Sequence, residues 1–247
     1  MSLRNLRRAV ALYDAEIAFT DQEVGRFLDE LDGISPPEAT LVVLTADHGE
    51  GLLDHGFMGH GPILYEETVR VPLLFRWSER IPAGSVIQGP VEIVDVVPTI
   101  LGLAGISPGK LLQGRDLTSA LTTGAALDPE YRVFFQRRRY QEKQVPTFPV
   151  EGVVFGRPLP VRGSKYGVRQ GRWKYIEAPM EGTRELYDLS SDPAEKTNLL
   201  SQHRQLADEL AGSLEDWRNE QDGLAVGPGY EAAEEELERL RSLGYVQ

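Results

Sequence analysis

The sequence predicts an α/β protein: a partial mixed or parallel sheet flanked by helices, with a small α+β subdomain at its C-terminal end. Three observations carry that prediction. Helical and strand patterns alternate up to about residue 136, as crossover connections require. The run Thr40–Thr45 is apolar and β-rich without polar alternation, which suits a parallel strand covered on both faces. After about residue 163 the texture changes to three short strand patterns and then amphipathic helices.

The elements follow in order. Residues 3–32 place Leu6, Val10, Tyr13, Ile17, Val24, Phe27, Leu28 and Leu31 near a 3.6-residue period, with Gly33 as C-cap before Ser35-Pro36-Pro37. Thr40–Thr45 is the first strand; Val69–Phe75 is the second, with Pro72 marking an edge, a strand start or a bulge. Asp95 and Pro98 are placed to start a helix carrying Val97, Ile100, Leu101 and Leu103. Asp116–Leu121 reads as a helical turn and Tyr131–Gln136 as a strand.

Domain bounds come from the same reading: 1–136 as part of an α/β domain, 137–163 as a loop or boundary, 164–247 as an antiparallel sheet with helices. Within 137–163, Arg137-Arg138-Arg139 reads as a solvated basic triplet, the alternative being an anionic-substrate entrance shared with Lys165. Ser164–Val168, Trp173–Glu177 and Glu185–Leu189 are the three strands; residues 201–220 and an acidic stretch at 231–242 are the helices.

Composition narrows the function. A formal charge of −12 argues against nucleic acid as the main partner, because phosphate binding needs a basic surface. The absence of cysteine removes disulfides and thiolate chemistry and leaves the compartment undetermined. No apolar run approaches the ~20 residues of a membrane span. Met1–Arg8 is basic but leads into an amphipathic pattern, so no signal peptide is read.

The chemistry concentrates in one segment. Three of the four histidines, His48, His55 and His60, lie just beyond the first strand. Asp47 and His48 sit together at the strand's carboxyl end, the edge where open α/β sheets bind ligands. A carboxylate and a neutral imidazole are both divalent-metal ligands, and the mixture suits Mn²⁺, Zn²⁺ or Fe²⁺ better than Ca²⁺. Gly49 lets both side chains turn inward. His60, between Gly59 and Gly61, is expected to be catalytic, as an acid toward a leaving group, with metal or anion contact as alternatives. His55, in Asp54-His55-Gly56, is expected to pack the loop.

At this point a resemblance enters. Thr45-Ala46-Asp47-His48-Gly49-Glu50, Asp54-His55-Gly56, Gly59-His60-Gly61, Leu64-Tyr65-Glu66-Glu67 and Val69-Arg70-Val71-Pro72-Leu73-Leu74 resemble the second half of the sulfatase catalytic domain. Three more stretches resemble the family in the same order. They are Tyr13–Ile17 with Asp21, Val94–Ile100 with Gly114, and Tyr166–Arg169 through Trp173-Lys174-Tyr175 to Glu185–Leu189 and Asp192–Glu195. The resemblance implies an incomplete fold of the alkaline-phosphatase-like superfamily and metal-dependent hydrolysis of sulfate esters. It further implies one divalent metal (Ca²⁺ or Mn²⁺, with Zn²⁺ also considered) on Asp47 and His48, and His60 where many members carry lysine.

The family nucleophile is a formylglycine made within a C/S-x-P-S/A-R motif, which this sequence lacks; so does it lack the paired aspartates that complete the metal shell. The expectation is therefore the C-terminal half of such an enzyme, holding part of the active site and inactive alone. A phosphodiesterase, phosphonate monoester hydrolase or phosphotransferase of the same superfamily is one alternative. A non-catalytic remnant that self-associates through an uncovered sheet edge is the other.

Overall fold

The computed structural model describes residues 2–107, 112–145 and 159–223. The acidic stretch at 231–242 and residues 146–158 of the expected boundary lie outside the described residues. The chain divides into a unit Met1–Leu214 and a unit Glu215–Gln247.

Helix α1 spans Leu3–Ile34. Ser2 caps it by accepting from Asn5 N–H at 3.2 Å, which satisfies one of the donors a helix start leaves open. The helix runs through Gly33 and stops where Ser35, Pro36 and Pro37 cannot continue it. None of its residues is buried, and Leu12, Ile17, Phe19 and Phe27 lie exposed along it.

Strand β1, Val42–Thr45, matches the predicted run, but its pairing corrects the expectation of a buried parallel strand. Among the described residues it pairs antiparallel with β4, Leu73–Arg76, and its residues are half-buried or exposed. An unbroken apolar run reports that both faces are suited to burial; it carries no information on the partner's direction. Pro72 stands immediately before β4, where a missing N–H breaks no ladder. Arg76 grips both oxygens of Asp32 at 3.0 and 2.5 Å, fastening the end of α1 to β4.

Between β1 and β4 the chain makes a small hairpin, β2 (Gly51–Leu52) with β3 (Met58–Gly59), and one helical turn, α2 (Glu66–Val69). A 3-10 turn at Ile93–Asp95 leads into α3, Val96–Leu103, and α4 follows at Thr118–Thr123. Asp95 is fully buried and accepts from Arg115 N–H at 2.6 Å, Arg115 Nη2 at 2.9 Å and Glu92 N–H at 3.0 Å. Ile81, Leu103, Leu117 and Leu121 form the core here, backed by Leu41, Phe75 and Trp77.

The C-terminal part is a four-stranded antiparallel meander in the order β5 (Arg132–Val145), β6 (Leu159–Gln170), β7 (Trp173–Ala178), β8 (Thr183–Asp188). All three predicted strands are present. The expected boundary at 137–163 is not a loop where it is described: β5 runs on to Val145 and β6 begins at Leu159. The predicted strand Tyr131–Gln136 is the first half of β5; two register shifts, at Arg137/Tyr140 and Tyr140/Lys143, break the alternation that would have revealed the rest. Helix α5, Arg204–Gly223, buries Ala207, Leu210 and Leu214 along one stripe. Residues 215–223 are its last turns.

Candidate active site

The hairpin β2–β3 is what assembles the site. Gly51 lies opposite Gly59 and Leu52 opposite Met58, so the next pair outward sets Glu50 against His60. The contact is made: His60 Nδ1 is 3.0 Å from Glu50 Oε2. The His60 ring then stacks on His48 at a centroid separation of 3.8 Å. Donor atoms of His48, Glu50 and His60 all lie within 4.8 Å of one another, a possible metal-binding group among the described residues.

His48 is delivered by the end of β1 and held by the next residue. Gly49 N–H donates to Thr68 O at 2.9 Å, and a Cβ at Gly49 would sit 2.2 Å from Glu67 O. Only glycine permits that approach of the strand end to α2. The His48 Nδ1 lies 2.9 Å from Gly49 O, an acceptor, so this nitrogen carries the proton and Nε2 keeps its lone pair. Glu50, an acceptor when ionised, imposes the same proton position on His60. Metal-ligating histidines are oriented in this way by the partner of the other ring nitrogen. The donor set and its hydrogen bonds therefore fit a divalent ion.

Asp47 adjoins this cluster through His48. Its Oδ1 accepts His48 N–H at 3.0 Å and its Oδ2 is 3.6 Å from His48 Nε2, with the side chain 70% exposed. Of the residues the sequence singles out, His48 and His60 are thus brought together, Asp47 stands beside them, and Glu50 joins them as a residue the motif reading passed over. The signal was there: a tight turn between Gly51 and Gly59 would have placed Glu50 opposite His60.

His55 belongs to a different environment. Its Nδ1 meets Glu67 at 2.6 Å, its Nε2 meets Glu195 O at 3.0 Å, and its ring stacks on Tyr65. Both nitrogens are engaged, so the ring clips the loop, as expected.

A second ionic group is a largely buried network centred on Lys174. Lys174, with no exposed surface, reaches Glu66 at 2.9 Å and Glu195 at 2.8 Å, and Glu195 Oε2 accepts Glu66 N–H at 2.6 Å. Burial pushes the Glu195 carboxyl up, against the pull of Lys174. Tyr65 and Tyr187 share Glu185, and burial drives both phenols upward. Motif spacing did not reveal Lys174 or Glu195 as partners, because 20 positions separate them along the chain and they meet only in space.

Arg137 and Lys165, considered as an anionic-substrate entrance, are buried instead. Both pair with Glu181, at 2.8 and 3.4 Å. Burial raises the Glu181 carboxyl, but Arg162 N–H, Lys165 and Arg137 outweigh it and leave it lowered.

The fold and its neighbours define the class: a mixed α/β architecture of the alkaline-phosphatase-like type. A solved protein, BT4656, in complex with its substrate D-glucosamine-2-N,6-O-disulfate, aligns with a TM-score of 0.68 and 25% identity, covering 87% of this chain and 41% of that one. The phosphonate monoester hydrolase of Agrobacterium radiobacter aligns with a TM-score of 0.66 at 24% identity, over 94% of this chain and 45% of that one. In sequence, a family profile described as Sulfatase matches residues 3–106. Mouse arylsulfatase K is 30% identical over 215 residues, 86% of this chain and 35% of that protein. The N-acetylglucosamine-6-O-sulfatase of Bacteroides thetaiotaomicron is 29% identical over 188 residues, 76% of this chain and 31% of that protein. The chain belongs to the sulfatase family, and it spans about a third of the length of these curated relatives.

Proposed function

We propose that this chain furnishes part of the active site of a metal-dependent sulfate ester hydrolase. The observation that supports it is the His48–Glu50–His60 cluster, in which each imidazole has its Nδ1 engaged and its Nε2 left available. His48 Nε2 and the Asp47 carboxylate would hold a divalent ion, Ca²⁺, Mn²⁺ or Zn²⁺. Bound there, such an ion supplies charge neutralisation for the ester oxygens. His60, aligned by Glu50, is placed to give a proton to the leaving oxygen, the carboxylate stabilising the ring when it is charged. The remaining ligands and the formylglycine nucleophile would come from polypeptide outside this sequence, which contains no cysteine. The chain alone is then expected to bind metal weakly and to turn over no aryl sulfate.

The test is Mn²⁺ titration of the purified chain, followed by relaxation of solvent water. Weak binding lost in Asp47→Ala and His48→Ala supports the reading, and no binding at millimolar Mn²⁺ sinks it. Turnover of an aryl sulfate by the chain alone, abolished in Asp47→Ala, would overturn the partial-site expectation. Two imidazoles in one cluster also support a phosphate or phosphonate ester hydrolase, because nitrogen donors suit Mn²⁺ and Zn²⁺. Paired sulfate and phosphonate ester assays on an assembled enzyme separate the two. The exposed apolar residues of α1 and the edges of the β1–β4 pair, which no third strand covers among the described residues, support self-association as a non-catalytic reading. Light scattering that finds a monomer at every concentration excludes it.

A further inference from the structure

We infer that Arg137 is a positioning residue for His60, reaching across from the C-terminal sheet to set the imidazole over Glu50 and His48. The inference rests on the proposed role of the cluster but is argued from the loop that carries it. His60 stands between Gly59 at φ 111° and Gly61 at φ 99°, two left-handed positions that glycine visits freely. Such a segment has little conformational preference of its own, so its geometry is set by what holds its two ends. On the N-terminal side the hold is the Gly51–Gly59 pairing of the hairpin. On the C-terminal side it is Arg137, whose Nη1 donates to Pro62 O at 2.8 Å, two residues beyond His60.

Arg137 is suited to that task because it is itself immobilised. Its Nη2 donates to Gly163 O at 2.9 Å and to Glu181 Oε1 at 2.8 Å, and its side chain is 2% exposed. The planar fork therefore joins β5, β6, the turn between β7 and β8, and the His60 loop at one point. Tyr140, three residues along β5, completes the wall: a Cβ on Gly61 would lie 2.8 Å from its hydroxyl. Phe57, Ile63 and Val161 close a small apolar cluster around the same junction. A buried arginine spent only on sheet stability would have no need of the Pro62 carbonyl.

The variant Arg137→Met is expected to fold, because Lys165 and the Arg162 N–H remain on Glu181. In the full chain, with histidine rings labelled and assigned by single His→Gln variants, the wild type should show a ring-to-ring nuclear Overhauser effect between His48 and His60. Arg137→Met is expected to lose most of it while the His55–Tyr65 effect and the far-ultraviolet circular dichroism stay unchanged. Arg137→Lys keeps the charge on Glu181 but lacks the fork, and is expected to keep the fold and recover only part of the His48–His60 effect. Unchanged His48–His60 proximity in a folded Arg137→Met protein overturns the inference. Should Arg137→Met fail to fold, full wild-type proximity in Arg137→Lys overturns it equally. A wild type that binds no Mn²⁺ but keeps the ring contact, lost in the variants, would defeat the metal reading and leave the positioning role standing.

Discussion

The Lys174–Glu66–Glu195 network and the His48–Glu50–His60 cluster are both built from ionisable side chains, yet they differ in almost every physical respect. In the network, Lys174 and Glu195 have no exposed side-chain surface and each charge faces its counterion within 3 Å. In the cluster, the side chains of His48 and His60 are 41% and 51% exposed, and among the described residues neither Nε2 makes a hydrogen bond, His48 Nε2 lying 3.6 Å from Asp47. Desolvated charge that is fully paired serves architecture, since removing one member strands the others in a low-dielectric interior. Solvated groups with spare lone pairs cost little to maintain and remain available to a ligand. A motif count would have ranked both alike; the distinction comes from burial.

The sharpest way to break that comparison is Lys174→Met. It should lower unfolding stability by about 3–5 kcal/mol, because the buried Glu195 then loses its cation beside Glu66, which keeps Arg169 at 3.8 Å. Urea denaturation measures it, and a loss under about 1 kcal/mol would show the network to be dispensable. Next in size is Gly49→Ala. Its Cβ would overlap Glu67 O, so β1 and α2 must separate, at about 1–3 kcal/mol, and His48 should shift with them. A crystal structure or the His48–His60 ring contact reads the displacement.

The acid response should divide the carboxylates by the sign of their shifts. Glu181 is depressed below its ordinary value of 4.5, so its stabilising contribution is complete above that value and lost as pH falls through the depressed one. Asp188, held down chiefly by the Ser190 hydroxyl, behaves likewise from its ordinary 3.8. Glu195 is raised, so its contribution is complete below 4.5 and declines as pH rises through the raised value. Stability measured from about pH 3 to 6 should therefore fall less steeply on acidification in Glu181→Gln than in wild type. In Glu195→Gln the decline on raising pH should be the part that flattens.

The smallest expected effect on folding is that of His60→Ala, within about 0.5 kcal/mol, because the ring is exposed. It is also the variant that divides roles within the site. Retained Mn²⁺ binding marks His60 as a proton donor; binding lost along with the ring marks it as a ligand.

Much of the fold was legible because periodicity and punctuation are local. The span of α1 and the three C-terminal strands follow from patterns within a dozen residues; the strand read from Val69 instead begins at Leu73, after Pro72, with Val69 ending α2. The second half of strand β5, beyond Gln136, was not legible, because its bulges disrupt the alternation and Arg137 reads as surface when taken alone. In the site, His48 and His60 stood out by residue type, whereas Glu50 required the hairpin register and Arg137 required the sheet beneath it.

By itself the sequence determined the family, the α/β class and the segment that carries the chemistry, since those rest on residue identity and spacing along the chain. Only the tertiary structure decided which charges are sealed and which are open. It also set Glu50 against His60, turned a basic triplet's first residue inward, and paired β1 antiparallel. The physical reason is that desolvation and hydrogen-bond partnership are properties of a neighbourhood. That neighbourhood here joins Glu66 to Lys174 and Pro62 to Arg137, across chain separations that no local pattern spans.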